Sequence, residues 1–368
     1  MSVFDFARPT RRSFLCGAAA LAAAPGAMAT ELAPIGAAAQ EAGLLFGASI
    51  AREALEDHAY AALYRRHARI VTTDWALKFD ALRPRREAWQ FTEADRLIDF
   101  AAQSGIAARG HALIWNEATP DWLKSLSARE TARVFDEHVD RVVGRYAGRL
   151  HSWDVVNEPF WPDHRKPGGW RDGPWLAALG PDYVARALKR ASKADPKARL
   201  TINEAHCEIV GGWGDGIRPR LMALVDRLKQ ADVPLHAVGL QAHLKPQWGH
   251  DDDAFLAFME GLGRLGVDVY LTELDVDDEA YPAEPAARDA QVAARYAAFL
   301  RAALRCRALK MVVLWQLSDK YSWLRAPDVK RARKVAFEAR PLPFDERLAA
   351  KPAAKALLDA FRARVATR

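Results

Sequence analysis

Along the chain, short runs of Val, Ile and Leu alternate with longer stretches whose apolar residues recur every three to four positions. The short runs carry few alternating charges, as parallel strands buried on both faces do. The longer stretches read as amphipathic helices. Eight strands are predicted, at Leu44–Ile50, Arg69–Trp75, Ala107–Trp115, Leu150–Glu158, Arg199–Ala205, Ala237–Leu244, Asp268–Val276 and Met311–Asp319. Helices are predicted between them at Glu93–Ser104, Ala128–Ala147, Tyr183–Ala194, Pro219–Ala231, Asp252–Leu265 and Ala287–Arg305. Strand–helix alternation repeated eight times, with no Pro/Gly/Ser linker and no fixed repeat length, predicts a single α/β domain. The fold class that fits is a (β/α)8 TIM barrel over residues 30–368.

Polar and aromatic residues gather at the C-terminal ends of these strands. Lys78 lies just past the second, His111 and Trp115 are on the third, and Asn157 and Glu158 end the fourth. Asn203 and Glu204, Gln241 and His243, Glu273 and Asp275, and Trp315 and Asp319 continue the series on the fifth to eighth. Buried polar ends are costly unless satisfied or used, and this face of the barrel is where active sites form.

Composition sharpens the class. The chain has 368 residues, 50% hydrophobic and 27% charged, the balance of a soluble globular protein. No long uninterrupted apolar run follows the N-terminus, so no transmembrane helix and no membrane partner are expected. The net charge of +6 is spread over helical segments (Arg65, Arg66, Arg69; Arg141, Arg145, Arg149), which argues for solvated faces and against nucleic-acid binding. Residues 1–29 read as a twin-arginine signal: Thr10-Arg11-Arg12-Ser13-Phe14-Leu15, a short Ala-rich apolar stretch, then Ala27-Met28-Ala29 as cleavage site. The mature protein is therefore expected to be exported, periplasmic or secreted, and monomeric, since no interface signal stands out. Cys16 leaves with the signal. Cys207 and Cys306 fall at opposite ends of the barrel and are expected to be unbridged.

The chemistry at the barrel mouth is narrowed by exclusion. The first strand, Phe46-Gly47-Ala48-Ser49, has no His-x-His, and His111, His206 and His243 stand on separate segments, so no metal is expected. The turns after the last two strands are acidic or aromatic, not glycine-rich phosphate cradles, and no cofactor is implied. What remains is a carboxylate pair, Glu158 and Glu273, in a chain with 12 Trp. Two carboxylates across a Trp-lined cleft suit glycosidic bond cleavage, one as acid and one as nucleophile or stabiliser.

These residues resemble a family. Trp153-Asp154-Val155-Val156-Asn157-Glu158 is similar to the acid/base motif of glycoside hydrolase family 10, the endo-β-1,4-xylanases, and Leu271-Thr272-Glu273-Leu274-Asp275 to its nucleophile motif. Four more segments resemble its signatures, beginning at Gly110, Gly239, Trp315 and Pro341, and the match runs in order from about Leu44 to Ala353. The resemblance implies a retaining endo-acting β-glycosidase acting on xylan or its oligosaccharides. Glu158 would be the acid/base and Glu273 the nucleophile. Asn157 would bind the 2-hydroxyl of the cleaved sugar, and Lys78 and His111 its 3-hydroxyl. His243 would orient Glu273 with Gln241 nearby, and Trp115, Trp315 and Trp323 would wall the sugar.

Four departures accompany the match. The family's Glu-Asn-x-x-Lys on the second strand is Asp74-Trp75-Ala76-Leu77-Lys78, and its His after the third-strand Trp is Asn116. Its leaving-side Tyr platform on the fifth strand is Ala205, and Pro159 follows the acid/base where a small residue is usual. Two other readings stay open: a related barrel acting on glucan or another β-linked glycan, and a carbohydrate-binding barrel without turnover.

Overall fold

The computed structural model describes residues 32–366; the signal reading of residues 1–29, with Cys16, lies outside the described residues. Eight parallel strands close into a barrel: β1 (Leu45–Ile50), β2 (Ile70–Thr73), β3 (Ala107–Gly110), β4 (Ser152–Asn157), β5 (Arg199–Glu204), β6 (Ala237–Leu240), β7 (Asp268–Val276) and β8 (Leu309–Leu314). Each pairs with its neighbours in sequence, and β8 pairs with both β7 and β1, which closes the sheet. Helices cover the outside, among them Thr92–Gln103, Ala128–Arg145, Tyr183–Ala194, Gly212–Gln230, Asp252–Arg264 and Pro285–Ala303. The predicted fold class is the observed one.

Two strands predicted as continuous are broken. After β3 the chain leaves the sheet and rejoins it at Ile114–Trp115 against β4; after β6 it rejoins at His243–Leu244 against β7. The hydrophobic pattern reads burial, and these segments stay buried although their ladder is interrupted. Strands 2 and 8 end earlier than predicted, at Thr73 and Leu314, so Lys78 and Trp315 sit on the loops beyond them. The helix predicted from Pro219 begins seven residues sooner, at Gly212, with Pro219 inside it.

The barrel interior is layered. Ile70, Ala237, Tyr270, Met311 and Val313 cluster together, with Leu45 and Ala107 packed on them. A polar layer also fills the interior: Arg109, fully buried, donates to Asp154 Oδ1 at 2.5 Å, and Thr201 Oγ1 reaches the same oxygen at 2.9 Å. β1 and β2 approach so closely that a Cβ on Gly47 would lie 1.6 Å from the Ile70 carbonyl oxygen, which only glycine permits. Asp319, one of the polar residues at the end of the eighth predicted strand, is structural. It accepts from Lys351 Nζ and Leu342 N and ties the C-terminal segment to the barrel.

Candidate active site

The strand ends place ten side chains around one cleft at the C-terminal mouth. Glu158 directly follows β4 and has a left-handed backbone (φ 48°), with its amide donating to the Asn203 carbonyl at 2.7 Å. Its carboxylate accepts from Gln241 Nε2 at 2.8 Å, Arg171 Nη2 at 2.5 Å and Trp115 Nε1 at 3.3 Å. Arg171 also donates from Nε to the Glu158 carbonyl at 2.9 Å and from Nη1 to Glu117. Gln241 lies beside Glu273 as expected, its carbonyl accepting from the Glu273 amide at 3.0 Å, while its side chain serves Glu158.

Glu273 sits within β7, 5% exposed. Asn203 Nδ2 donates to its Oε1 at 2.7 Å, and His243 Nε2 lies 3.2 Å from its Oε2. The other His243 nitrogen binds Asp275 at 2.9 Å, and Asp275 also accepts from Trp323 Nε1 at 2.7 Å. Burial pushes His243 down, but Asp275 and Glu273 outweigh it and raise the imidazole to about 10. Burial likewise pushes Glu273 up. The His243 hydrogen bond and the charges of His111, His243 and Lys78 overcome that and hold the carboxyl below its ordinary range. Glu273 is kept ionised.

The two carboxylates are joined only through amides. Gln241 Nε2 reaches Glu158 and, at 3.5 Å, Asn157 Oδ1; Asn203 Nδ2 reaches Asn157 Oδ1 at 2.8 Å and Glu273. The same pair of amides therefore positions both carboxylates against Asn157.

The remaining predicted residues line one side of the cleft. His111 Nδ1 binds Asp154 Oδ2 at 2.9 Å, which leaves Nε2 as the free ring nitrogen, and its ring meets Trp315 edge-on at 5.4 Å. Lys78 Nζ lies 5.0 Å from the Trp115 ring centre, 4.6 Å from Trp75 and 6.0 Å from Trp315. Trp323 packs on His243 at 5.2 Å. All ten predicted residues converge. Sequence reasoning did not assign Arg171, Asn203, Asp154 and Asp275 to the site. Asn203 and Asp275 stood visible at strand ends, whereas Arg171 lies in a Gly/Pro-rich loop with no periodic signal.

Two of the departures have contacts that account for them. Asn116 is buried and its Oδ1 accepts from Trp175 N at 3.2 Å, so it pins a loop. Asp74 accepts from Gln316 Nε2 at 2.8 Å, and Trp75 is 49% exposed beside Lys78, not turned into the barrel wall. Among the described residues, no cluster of three or more His, Cys, Asp or Glu is placed to hold a metal ion, and no helix is long and apolar enough to cross a membrane.

The model of glycosyl hydrolase family 10 matches residues 35–360. The chain belongs to this family. As a family 10 glycoside hydrolase it is similar to endo-1,4-beta-xylanase C of Phanerodontia chrysosporium, 32% identical over 324 residues, covering 87% of this chain and 77% of that one. It is also 31% identical over 300 residues to endo-1,4-beta-xylanase A of Caldicellulosiruptor, covering 76% of this chain but only 42% of that longer protein. Among solved structures, native xylanase 10B from Thermotoga maritima superposes with a TM-score of 0.81 at 26% identity, covering 91% of this chain and all of that one.

Proposed function

We propose that this family 10 hydrolase cleaves internal β-1,4-xylosidic bonds of xylan with retention, Glu273 acting as nucleophile and Glu158 as acid/base. The observation that carries the reading is that two carboxyls with different hydrogen-bond partners face one cleft. Glu273 is held ionised between Asn203 and an imidazolium at His243, while Glu158 is separated from it by amides. In the first step a Glu273 oxygen bonds to the anomeric carbon as the bond to the leaving oxygen breaks, and the Glu158 proton goes to that oxygen. In the second, Glu158 takes a proton from water, the water oxygen bonds to the anomeric carbon, and the ester to Glu273 breaks. Asn157, Lys78 and His111 Nε2 would hold the hydroxyls of the sugar being cleaved.

The test is Glu273→Ala, which should abolish xylan cleavage, with azide partly restoring turnover of an activated xyloside to an inverted product. Glu158→Ala should slow xylan far more than aryl xylosides with good leaving groups. Retention of most activity by Glu273→Ala, or equal losses of Glu158→Ala on both substrate types, refutes the assignment. The Asp74–Trp75 departure favours a second reading, a β-glucan substrate; reducing-sugar release from xylan and carboxymethylcellulose separates the two. Residues 1–29 support export by the twin-arginine route, which N-terminal sequencing of the mature protein tests.

A further inference from the structure

A second aromatic group lies at the barrel mouth, outside the residues that the chemistry uses. Ala205, where the family resemblance calls for a Tyr platform, is buried at the end of β5. The next residue, His206, takes a left-handed backbone (φ 61°) and sets its ring among three tryptophans, 5.6 Å from Trp161, 4.7 Å from Trp213 and 5.8 Å from Trp248. Trp161 and Trp213 meet edge-to-face at 4.3 Å. Trp248 is 44% exposed, and Trp75 and Trp248 are the two exposed tryptophans among the described residues. One stands at each side of the mouth.

The position of this group relative to the reaction is set by Arg171. That side chain binds the Glu158 carboxylate and stacks on Trp161 at 4.0 Å. The group therefore begins one side chain from the acid that protonates the leaving oxygen. Lys78, His111, Trp315 and Trp75, which face the retained sugar, follow β2, β3 and β8. The aromatic group follows β4, β5 and β6, on the path of the departing chain.

Its charge is as distinctive as its shape. Lys245 Nζ lies 4.1 Å from the Trp248 ring centre, and among the described residues no carboxylate reaches it at salt-bridge distance. Many other cations at the mouth are paired: Arg171 with Glu158 and Glu117, Lys166 with Asp172, Arg218 with Asp215. Glu208 below is 2% exposed with no partner for either oxygen, and burial raises it to about 7, so in mildly acidic solution it leaves the lysine's charge uncancelled.

We propose that Trp248 and Lys245 form a leaving-side subsite that selects xylan carrying uronic-acid side groups, Trp248 stacking on a xylose ring and Lys245 pairing with the uronate carboxylate. This rests on the xylanase reading above. An indole face accepts the C–H face of a sugar, and Trp248 would then do the work of the absent Tyr one loop further out. The lysine covers the ring face in the unliganded protein; a sugar stacking there displaces the ammonium, and its flexible stem lets it swing to the ring's edge to meet a side-group carboxylate. An exposed ion pair makes a modest contribution, so the selectivity is a matter of several fold.

The test compares kcat/KM of wild type, Lys245→Met and Trp248→Ala on a linear xylohexaose, a uronate-branched oligosaccharide and a neutral arabinose-branched one. Lys245→Met should lose about fivefold on the uronate substrate alone, and 0.5 M NaCl, chosen to screen that pair, should erase the wild type's advantage. Trp248→Ala should lose activity on all three. An active wild type whose Lys245→Met variant shows no loss, or equal losses on acidic and neutral substrates, overturns the subsite alone. A wild type inactive on every xylan overturns the xylanase reading and the subsite with it.

Discussion

Replacing Asp275 with Asn removes the charge that keeps His243 protonated. Asp275 is 1% exposed and divides its oxygens between His243 Nδ1 at 2.9 Å and Trp323 Nε1 at 2.7 Å. Against burial, Asp275 is the larger of the two influences that lift His243 from 6.5 to about 10, Glu273 being the other. That rise corresponds to roughly 5 kcal/mol in favour of the imidazolium. Asn keeps the shape and one acceptor but no charge, so His243 should titrate nearer its ordinary range. The wild-type kcat/KM should show no limb from His243 between pH 5 and pH 8. Asp275→Asn should add a descending limb there, because a neutral His243 has a single ring proton to share between its two neighbours and no charge with which to hold the Glu273 carboxylate in place. A drop of about tenfold between pH 5.5 and pH 8 is the expected size, one pKa unit of lost stabilisation.

Stability gives an independent reading of the same charge. His243 binds its proton more tightly folded than unfolded, so its contribution is complete below pH 6.5 and is lost as pH rises toward 10. Within that window each pH unit removes about 1.4 kcal/mol. Urea denaturation at pH 6.5 and pH 9 should therefore show the wild type losing about 3 kcal/mol more than Asp275→Asn. Glu273 acts in the opposite direction, its contribution being lost as pH falls below the ordinary carboxyl range, and does not overlap. Matching pH–rate profiles and matching stability slopes in the two proteins would refute the coupling.

Three further outcomes follow from packing and from the altered second strand. Gly110→Ala would set a Cβ 2.2 Å from the fully buried Trp153 ring and should cost about 1–3 kcal/mol, read as a lowered urea midpoint; an unchanged midpoint contradicts the packing. Cys207 and Cys306 are unbridged and buried, and burial raises both thiols, so a thiol reagent should find none in the folded mature protein and two after denaturation without reductant; none after denaturation would mean a disulfide. Asp74→Glu/Trp75→Asn should raise kcat/KM on xylobiosides by about tenfold or more, since a recovered hydrogen bond to a charged group is worth about 1.5–3 kcal/mol; no gain would show that half-exposed Trp75 is not the cause of a weak subsite.

The barrel was legible because its signal is repeated: each strand is apolar through its length and polar at one end. The ends of elements were less legible because hydrophobicity records burial, not hydrogen bonding. Ala112 and Ala242 are buried yet lie outside the ladders, and that is why strands 3 and 6 read as unbroken. The Gly211-Gly212-Trp213-Gly214-Asp215-Gly216 segment reads as a loop, but tertiary contact makes most of it the first turns of a helix; the Ile209 carbonyl would lie 1.9 Å from a Cβ on Gly214, so glycine is needed there. The carboxylates were legible from their motifs. Arg171 was not, because its place beside Glu158 depends on a loop folding back so that Phe160 and Trp170 pair.

The polar layer inside the barrel is the feature that stability alone leaves unexplained. A buried ion pair such as Arg109–Asp154 seldom stabilises more than apolar side chains of the same volume would. Asp154, however, has two oxygens and two tasks. One oxygen satisfies Arg109 and Thr201, and the other fixes His111 through Nδ1, so that Nε2 is the nitrogen offered to the cleft. Burial pushes Asp154 up, but Arg109 and His111 more than reverse it, so the carboxylate stays charged without solvent. The arginine thus lets a carboxylate exist at that depth, and the carboxylate holds a cleft-facing histidine in one tautomer. Backbone strain points the same way. Of the seven non-glycine residues with positive φ among the described residues, four (Glu158, His206, Ala242 and Gln316) lie just past β4, β5, β6 and β8 at the mouth, and Arg165, Asp232 and Leu348 lie in loops elsewhere. Such conformations persist where the surroundings over-determine them, and they cluster where geometry serves function. The closed sheet supplies that rigidity, and the mouth uses it to aim side chains that an unconstrained loop would leave free.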